Sequence, residues 1–351
     1  VDEAAVQSST EGVTDETPDY GAPGFKDRDI HVFVIESYGI TIFEQDTIRE
    51  AVQPKLEEVH TRLSDGGFHS VSNYLESPIF GGQSWLAEAT FLSGNRIDRQ
   101  GRYEQLIDDG SDTILRTLSE MADYYSVAIK PGSINGGWAD EQEVFGFDEV
   151  LTAYDGHFEY EGPWFSFVPI PDQFAIWTAH NRIRELKQQD ENANGRPLYV
   201  QYQLVSSHLP FNRIPAVIDD WSELGDGSLY HESDNQYFDN DYFRGDEYIE
   251  GYSAAVNYVL EIITQYMTRH VTDDDQSLFI VYGDHQPGTV VTGQNASRSV
   301  PIHVLSRDRE LLRAWREDHG FTPGLIPDQE RPHIPMEQMF PLMAEIASQE
   351  R

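Results

Sequence analysis

Cysteine is absent from this sequence, which removes disulfides, thiolate metal ligands and cysteine nucleophiles at one stroke. Lysine is nearly absent: Lys26, Lys55, Lys130 and Lys187 are four of only 24 basic residues. Long apolar runs are missing as well. No stretch approaches the roughly 18–20 consecutive apolar residues that a membrane helix requires. The chain begins at Val1 with neither a basic n-region nor an apolar h-region, so any membrane anchor would lie outside it.

What the chain has in excess is acid. Its 61 Asp and Glu give a net charge of −37. Such a surface repels nucleic acid and anionic headgroups, so neither is an expected partner. The acids are spread along the chain, as in "DDGSD", "DENAN" and "DEYIE", which favours a halophilic, salt-adapted surface over one acidic binding site. With 351 residues, of which 39 % are hydrophobic, the chain is long enough to bury a large core.

Residues 1–28 are acidic, rich in Gly, Ser, Thr and Pro and without apolar period, which predicts a flexible leader. From residue 29 to 351 a single catalytic domain is expected. Short apolar strands alternate there with helical stretches. Strands are expected at Ile30–Ile35, in "FHSVSNYLE", in "YSVAIK", in "PLYVQYQLV", in "LFIVYG" and in "SVPIHVLS". Helices are expected over 47–63, from about Ser84, and over 112–124, 175–189 and 248–267. This alternation predicts an α/β fold, a doubly wound, mostly parallel sheet with helices on both faces. The stretch 212–247 lacks a regular period and reads as an irregular insertion.

In open α/β sheets ligands bind at the carboxyl ends of the strands. Three apolar strands end there on polar residues: Glu36, His208, and the pair Asp284-His285. A fourth segment, "FGGQSWLAEA", places the Ser84 hydroxyl at a helix start behind two glycines, where a helix N-terminus favours an anion such as phosphate. Glu36, Ser84, Asp284 and His285 together make an O,O,O,N donor set suited to one divalent cation, Zn²⁺ or Mn²⁺. Such a cation would lower the pKa of the Ser84 hydroxyl and make it a nucleophile. Taken singly, each piece also has an ordinary reading: a solvated strand end for Glu36, a surface turn for Asp284-His285, a helix cap for Ser84, a packing histidine for His208.

In order and position these segments resemble the alkaline phosphatase superfamily, in the sulfatase-like branch that holds lipoteichoic acid synthases and other phosphoglycerol and phosphoethanolamine transferases. "VFVIESYG" resembles the first strand with its metal-binding acid, Glu36; "GGQSWLAEATFLSG" resembles the nucleophile segment, Ser84, with Glu88 four residues on. "SSHLPF" resembles the strand end whose histidine, here His208, contacts the transferred phosphoryl group, and "VYGDHQPG" resembles the metal pair Asp284 and His285. The resemblance covers about residues 29–345. It implies a metal-dependent phosphoester hydrolase or phosphotransferase working through a phosphoseryl intermediate, on a small-molecule or lipid-headgroup phosphoester, in an extracytoplasmic setting. Two departures narrow it. The nucleophile segment lacks the Pro and Arg of formylglycine sulfatases, and Asn257 stands near where two-metal phosphatases carry an acid, which favours one metal. The segment "GGWADEQEV" keeps Trp138 but has Asp140 where synthases carry Arg, so Lys130 and His157 are the candidates for positive charge at the substrate beside Trp138. A sulfate- or phosphonate-ester hydrolase of the same fold and a non-catalytic metal-stabilised binding domain are the alternatives.

Overall fold

A computed structural model describes residues 25–348 apart from 26, 136–137, 189–192, 194, 239–244 and 273–274. Its strands, in chain order, are β1 (Ile30–Ile35), β2 (His69–Glu76), β3 (Tyr125–Lys130), β4 (Glu149–Thr152), β5 (Leu198–Leu204), β6 (Arg213–Ile214), β7 (Gln236–Tyr237), β8 (Leu278–Gly283), β9 (Ser299–Ser306), β10 (Thr322–Pro323) and β11 (Ile334–Pro335). Nine of them form one sheet in the order β10-β2-β9-β8-β1-β5-β3-β4, with β11 beside β2. The block β8-β1-β5-β3-β4 is parallel throughout, while β9 runs antiparallel to both β8 and β2. Two reversals restore the direction, so β2 points the same way as β1 and β8. The carboxyl ends of β1, β2, β5 and β8 therefore share one edge.

Both faces of the sheet are covered, which is why its strands read as nearly continuous apolar runs. Successive residues of β1 go to opposite sides. Phe33 and Ile35 join a core with helices Asp46–Asp65, Asp172–Gln188 and Gly245–Arg269. Val32 and Val34 join a second core with helices Ser84–Ser93, Ile114–Ala122 and Met339–Ser348. The α/β fold with a mostly parallel, doubly wound sheet is thus present.

Helix Gln100–Asp109, helix Trp138–Phe145 and β4 stand beyond the expected set. Helix Gln100–Asp109 buries only Tyr103 and Leu106, too thin a stripe to stand out as a period. Of the expected leader, residues 1–24 and 26 lie outside the described residues, while Phe25 packs fully buried in the second core. Within the expected insertion, β6 pairs with β7, and Trp221 anchors the segment by donating from Nε1 to Gln265 Oε1 of the long helix at 2.9 Å.

Candidate metal centre and nucleophile

The site is assembled by three strand exits and one helix start. Beyond β1 the chain turns through Glu36 and Ser37, the latter at φ 60°. Beyond β8 it passes directly into Asp284 and His285. After β2 it crosses Gly81 and Gly82, then Gln83 at φ 67°, and enters helix Ser84–Ser93 with Ser84 as first residue. These left-handed turns, for which glycine is the natural residue, bend the chain sharply enough to return Ser84 to the strand edge.

Four expected metal-site residues meet there. Ser84 Oγ donates to Glu36 Oε2 at 2.8 Å and lies 3.3 Å from His285 Nε2. His285 Nε2 is 3.3 Å from Glu36 Oε1 and 3.5 Å from Asp284 Oδ2. One ligand atom from each of Glu36, Asp284 and His285 falls within 4.8 Å of the others, and all three residues are buried.

Neighbouring bonds hold these donors. Asp284 Oδ1 accepts the amides of Ser37 at 2.8 Å and His285 at 2.6 Å, which leaves Oδ2 turned toward the cluster. His285 Nδ1 lies 2.8 Å from the Gln286 carbonyl and donates to it, so Nε2 is the nitrogen presented to the site. Ser37 Oγ donates to Glu36 Oε1 at 3.0 Å, and Ser207 Oγ donates to the Glu36 carbonyl at 2.6 Å.

The electrostatics fit a cation. Two carboxylates lie buried side by side, an arrangement that repels unless positive charge sits between them. Burial first, and the Glu36 carboxylate second, push the Asp284 carboxyl up to about 8. Burial also opposes charge on His285, yet Asp284 and Glu36 outweigh it and hold the imidazole up to about 10. At Glu36 burial works against ionisation, but His285 beside it keeps the carboxyl below its ordinary value. The cluster favours positive charge, which a protonated His285 or a divalent cation ligated by Nε2 would supply. Oxygen and imidazole donors of this kind suit Mn²⁺ or Zn²⁺.

His208 stands beyond β5 on the same edge. It is exposed, its Nδ1 lies 2.6 Å from the Leu209 carbonyl, and its ring meets Phe167 edge-on at 6.1 Å.

Of the three residues expected at the substrate, Lys130 and His157 engage partners away from Ser84. Lys130 is buried, and its Nζ donates to Glu88 Oε2 at 2.8 Å, one turn below Ser84 on helix Ser84–Ser93. Gln201 and Gln203 of β5 also donate to Glu88, so the ammonium belongs to a buried network beneath the helix rather than to the open edge. His157 accepts the Thr152 amide at 3.1 Å and lines a separate cleft of about 590 Å³ with Glu149, Trp177 and Arg182. Trp138 opens helix Trp138–Phe145, and its side chain lies outside the described residues.

Residues that sequence reasoning passed over are Ser37, Ser77 and Ser207. Ser77 Oγ donates to the Asp284 carbonyl at 2.7 Å. The signal available was a serine beside each strand end, but serine is common in any turn.

No family model matches the chain, and no curated protein matches it by sequence. Solved structures do. The lipoteichoic acid synthase LtaP from Listeria monocytogenes aligns at TM-score 0.56 and 16 % identity, over 95 % of this chain and 75 % of that one. A protein in the alkaline phosphatase superfamily from Vibrio parahaemolyticus aligns at 0.52 and 15 %, over 92 % and 67 %. This chain has an alkaline phosphatase-like fold. The C-terminal periplasmic domain of EptC from Escherichia coli, in complex with Zn, aligns at 0.52 and 10 %, over 92 % and 82 %. At these identities the likeness is one of fold.

Proposed function

We propose that this chain is a metal-dependent phosphoester hydrolase or phosphotransferase whose nucleophile is Ser84. One observation carries the reading. The Ser84 hydroxyl opens a helix and sits among Glu36, Asp284 and His285, a donor set with room for one cation. A divalent cation, when bound by Glu36, Ser84, Asp284 and His285, would lower the pKa of the hydroxyl and offset charge on the phosphoryl oxygens.

The chain's own residues do the rest. Glu36 Oε2 already accepts the Ser84 hydrogen and orients the oxygen. As Ser84 Oγ attacks phosphorus its proton passes to Glu36 Oε2 along the existing hydrogen bond, the bond from phosphorus to the leaving oxygen breaks, and His208 supplies that oxygen with a proton. The positive end of helix Ser84–Ser93 favours the anionic phosphoryl group. Water or an acceptor alcohol, giving its proton to His208, then attacks phosphorus, and the Ser84 oxygen leaves and takes back its proton from Glu36. The substrate is a small-molecule or lipid-headgroup phosphoester, met outside the cytoplasm, in keeping with the periplasmic domain of similar fold. No described helix is long and apolar enough to cross a membrane.

The test is Ser84→Ala, assayed with an aryl phosphodiester, an aryl phosphomonoester and an aryl sulfate in the presence of Mn²⁺ or Zn²⁺. Phosphoester turnover should vanish while stability falls by no more than about 1–3 kcal/mol, the cost of the one hydrogen bond that Ser84 gives to Glu36. Chelation of the metal should abolish turnover in the unaltered protein. Wild-type rates in Ser84→Ala would exclude Ser84 as nucleophile, and a dominant aryl sulfatase rate would move the reading to sulfate esters.

A further inference from the structure

Of the buried carboxylates that the chemistry above leaves unused, Asp29 and Glu88 face Lys187 and Lys130, and Asp172 stands apart. Asp172 opens helix Asp172–Gln188 and is fully buried, with no cation paired to it among the described residues. Burial pushes its carboxyl up to about 7, against the pull of two amides that bond it. An unpaired buried carboxylate is a costly way to cap a helix. An amide or hydroxyl side chain could satisfy one donor more cheaply.

The partners explain the choice. Asp172 Oδ1 accepts the Val205 amide at 2.7 Å and Oδ2 accepts the Ser206 amide at 2.9 Å, while the Asp172 amide donates to Ser206 Oγ at 3.1 Å. Only a carboxylate offers two acceptor oxygens side by side to two consecutive N–H groups. Those amides are the first two beyond β5, where the chain leaves the sheet. The turn they begin does two things. Ser207 Oγ donates to the Glu36 carbonyl, and the His208 amide donates to the Val205 carbonyl at 2.9 Å, which closes the turn that carries His208.

We propose that Asp172 is a positioning residue: its carboxylate clamps two consecutive amides at the exit of β5 and so fixes the turn that brings His208 to the edge where Ser84 lies. The inference rests on the phosphoester reading for its catalytic half and on geometry for its structural half.

The experiment is a double-mutant cycle with an aryl phosphodiester and Mn²⁺, with melting recorded for each variant first. Asp172→Asn keeps the volume but turns an NH₂ group against one of the two amides. If that variant does not fold, Asp172→Ser replaces it. In the wild-type background the substitution should lower kcat about tenfold and move KM less than about twofold. In a His208→Ala background the same substitution should change the residual kcat less than about twofold, because the group it positions is gone. A tenfold loss that persists without His208, or full kcat in Asp172→Asn, overturns the proposal.

A second arm does not depend on turnover. Amide exchange at Val205 and Ser206 should be at least about tenfold faster in the variant, with β1 and β8 unchanged. Unchanged exchange at those amides overturns the clamp. A folded wild type that hydrolyses no phosphoester, with faster exchange in the variant, sinks the phosphoester reading and leaves the clamp supported.

Discussion

His303 and Lys130 show how single polar residues are kept inside this core. His303 is buried on β9, with Nδ1 2.7 Å from Ser72 Oγ and Nε2 3.0 Å from the Tyr38 hydroxyl. Ser72 Oγ donates to the Gly324 carbonyl at 2.6 Å, so it accepts from Nδ1–H, and Tyr38 must donate to Nε2. Both nitrogens are used by the neutral ring, and burial lowers its pKa to about 3. The unfolded chain protonates His303 near 6.5 and the folded one only near 3, so this contribution to stability is present above pH 6.5 and lost as pH falls toward 3. Relative to His303→Gln, the wild type should lose about 2 kcal/mol of unfolding free energy between pH 7 and pH 5. Urea titrations at the two pH values check this; a constant difference would mean that His303 is not held neutral. Lys130 is held differently, by a buried ion pair with Glu88 at 2.8 Å. Lys130→Met strands Glu88 in the interior and should cost about 3–5 kcal/mol, and adding Glu88→Leu should recover most of it. Thermal melts of the single and double variants decide whether the pair acts as a unit.

At the scale of elements, the site depends on how closely β1 and β8 approach where both leave the sheet. Ile35 pairs with Gly283, and Glu36 and Asp284 follow at once. The absence of a side chain at Gly283 permits this: a Cβ there would lie 1.9 Å from the Tyr38 carbonyl oxygen. That oxygen is backbone and cannot swing away. Gly283→Ala should therefore destabilise the protein by about 2–4 kcal/mol and weaken Mn²⁺ binding, because Glu36 and Asp284 are forced apart. Titration calorimetry with Mn²⁺, run beside a melt, separates the two effects. Unaltered affinity in a less stable protein would show that the strand exits move together.

Over the whole molecule the dominant field is its own negative charge. With 61 acids against 24 bases, ion pairs such as those of Lys55 and Arg62 with Glu261 leave most of the acids without a basic partner. The Debye length falls from about 30 Å at 0.01 M salt to about 3 Å at 1 M, so added salt removes most of this repulsion. The melting temperature should rise from dilute buffer to molar KCl. A flat or falling trend would count against a salt-adapted surface.

The linear sequence was enough for the architecture, because buried parallel strands must be apolar along their whole length and the intervening helices must show an amphipathic stripe. It was enough to single out Glu36, Ser84, Asp284 and His285 as residues that would meet at one edge, since each lies at a strand exit or a helix start, where local pattern marks the position. It could not show that β9 runs antiparallel and so returns β2 to the common edge, because pairing direction is settled by long-range contacts. Nor could it separate Lys130 from a substrate-facing cation. The partner of Lys130, Glu88, lies 42 residues away in sequence, and only setting helix Ser84–Ser93 beside β3 and β5 gives that lysine its buried partner. Asp172 escaped notice for the same reason: its two amides lie 33 and 34 residues further along the chain, and a lone acid at a helix start reads as an ordinary cap until the fold sets β5 against it.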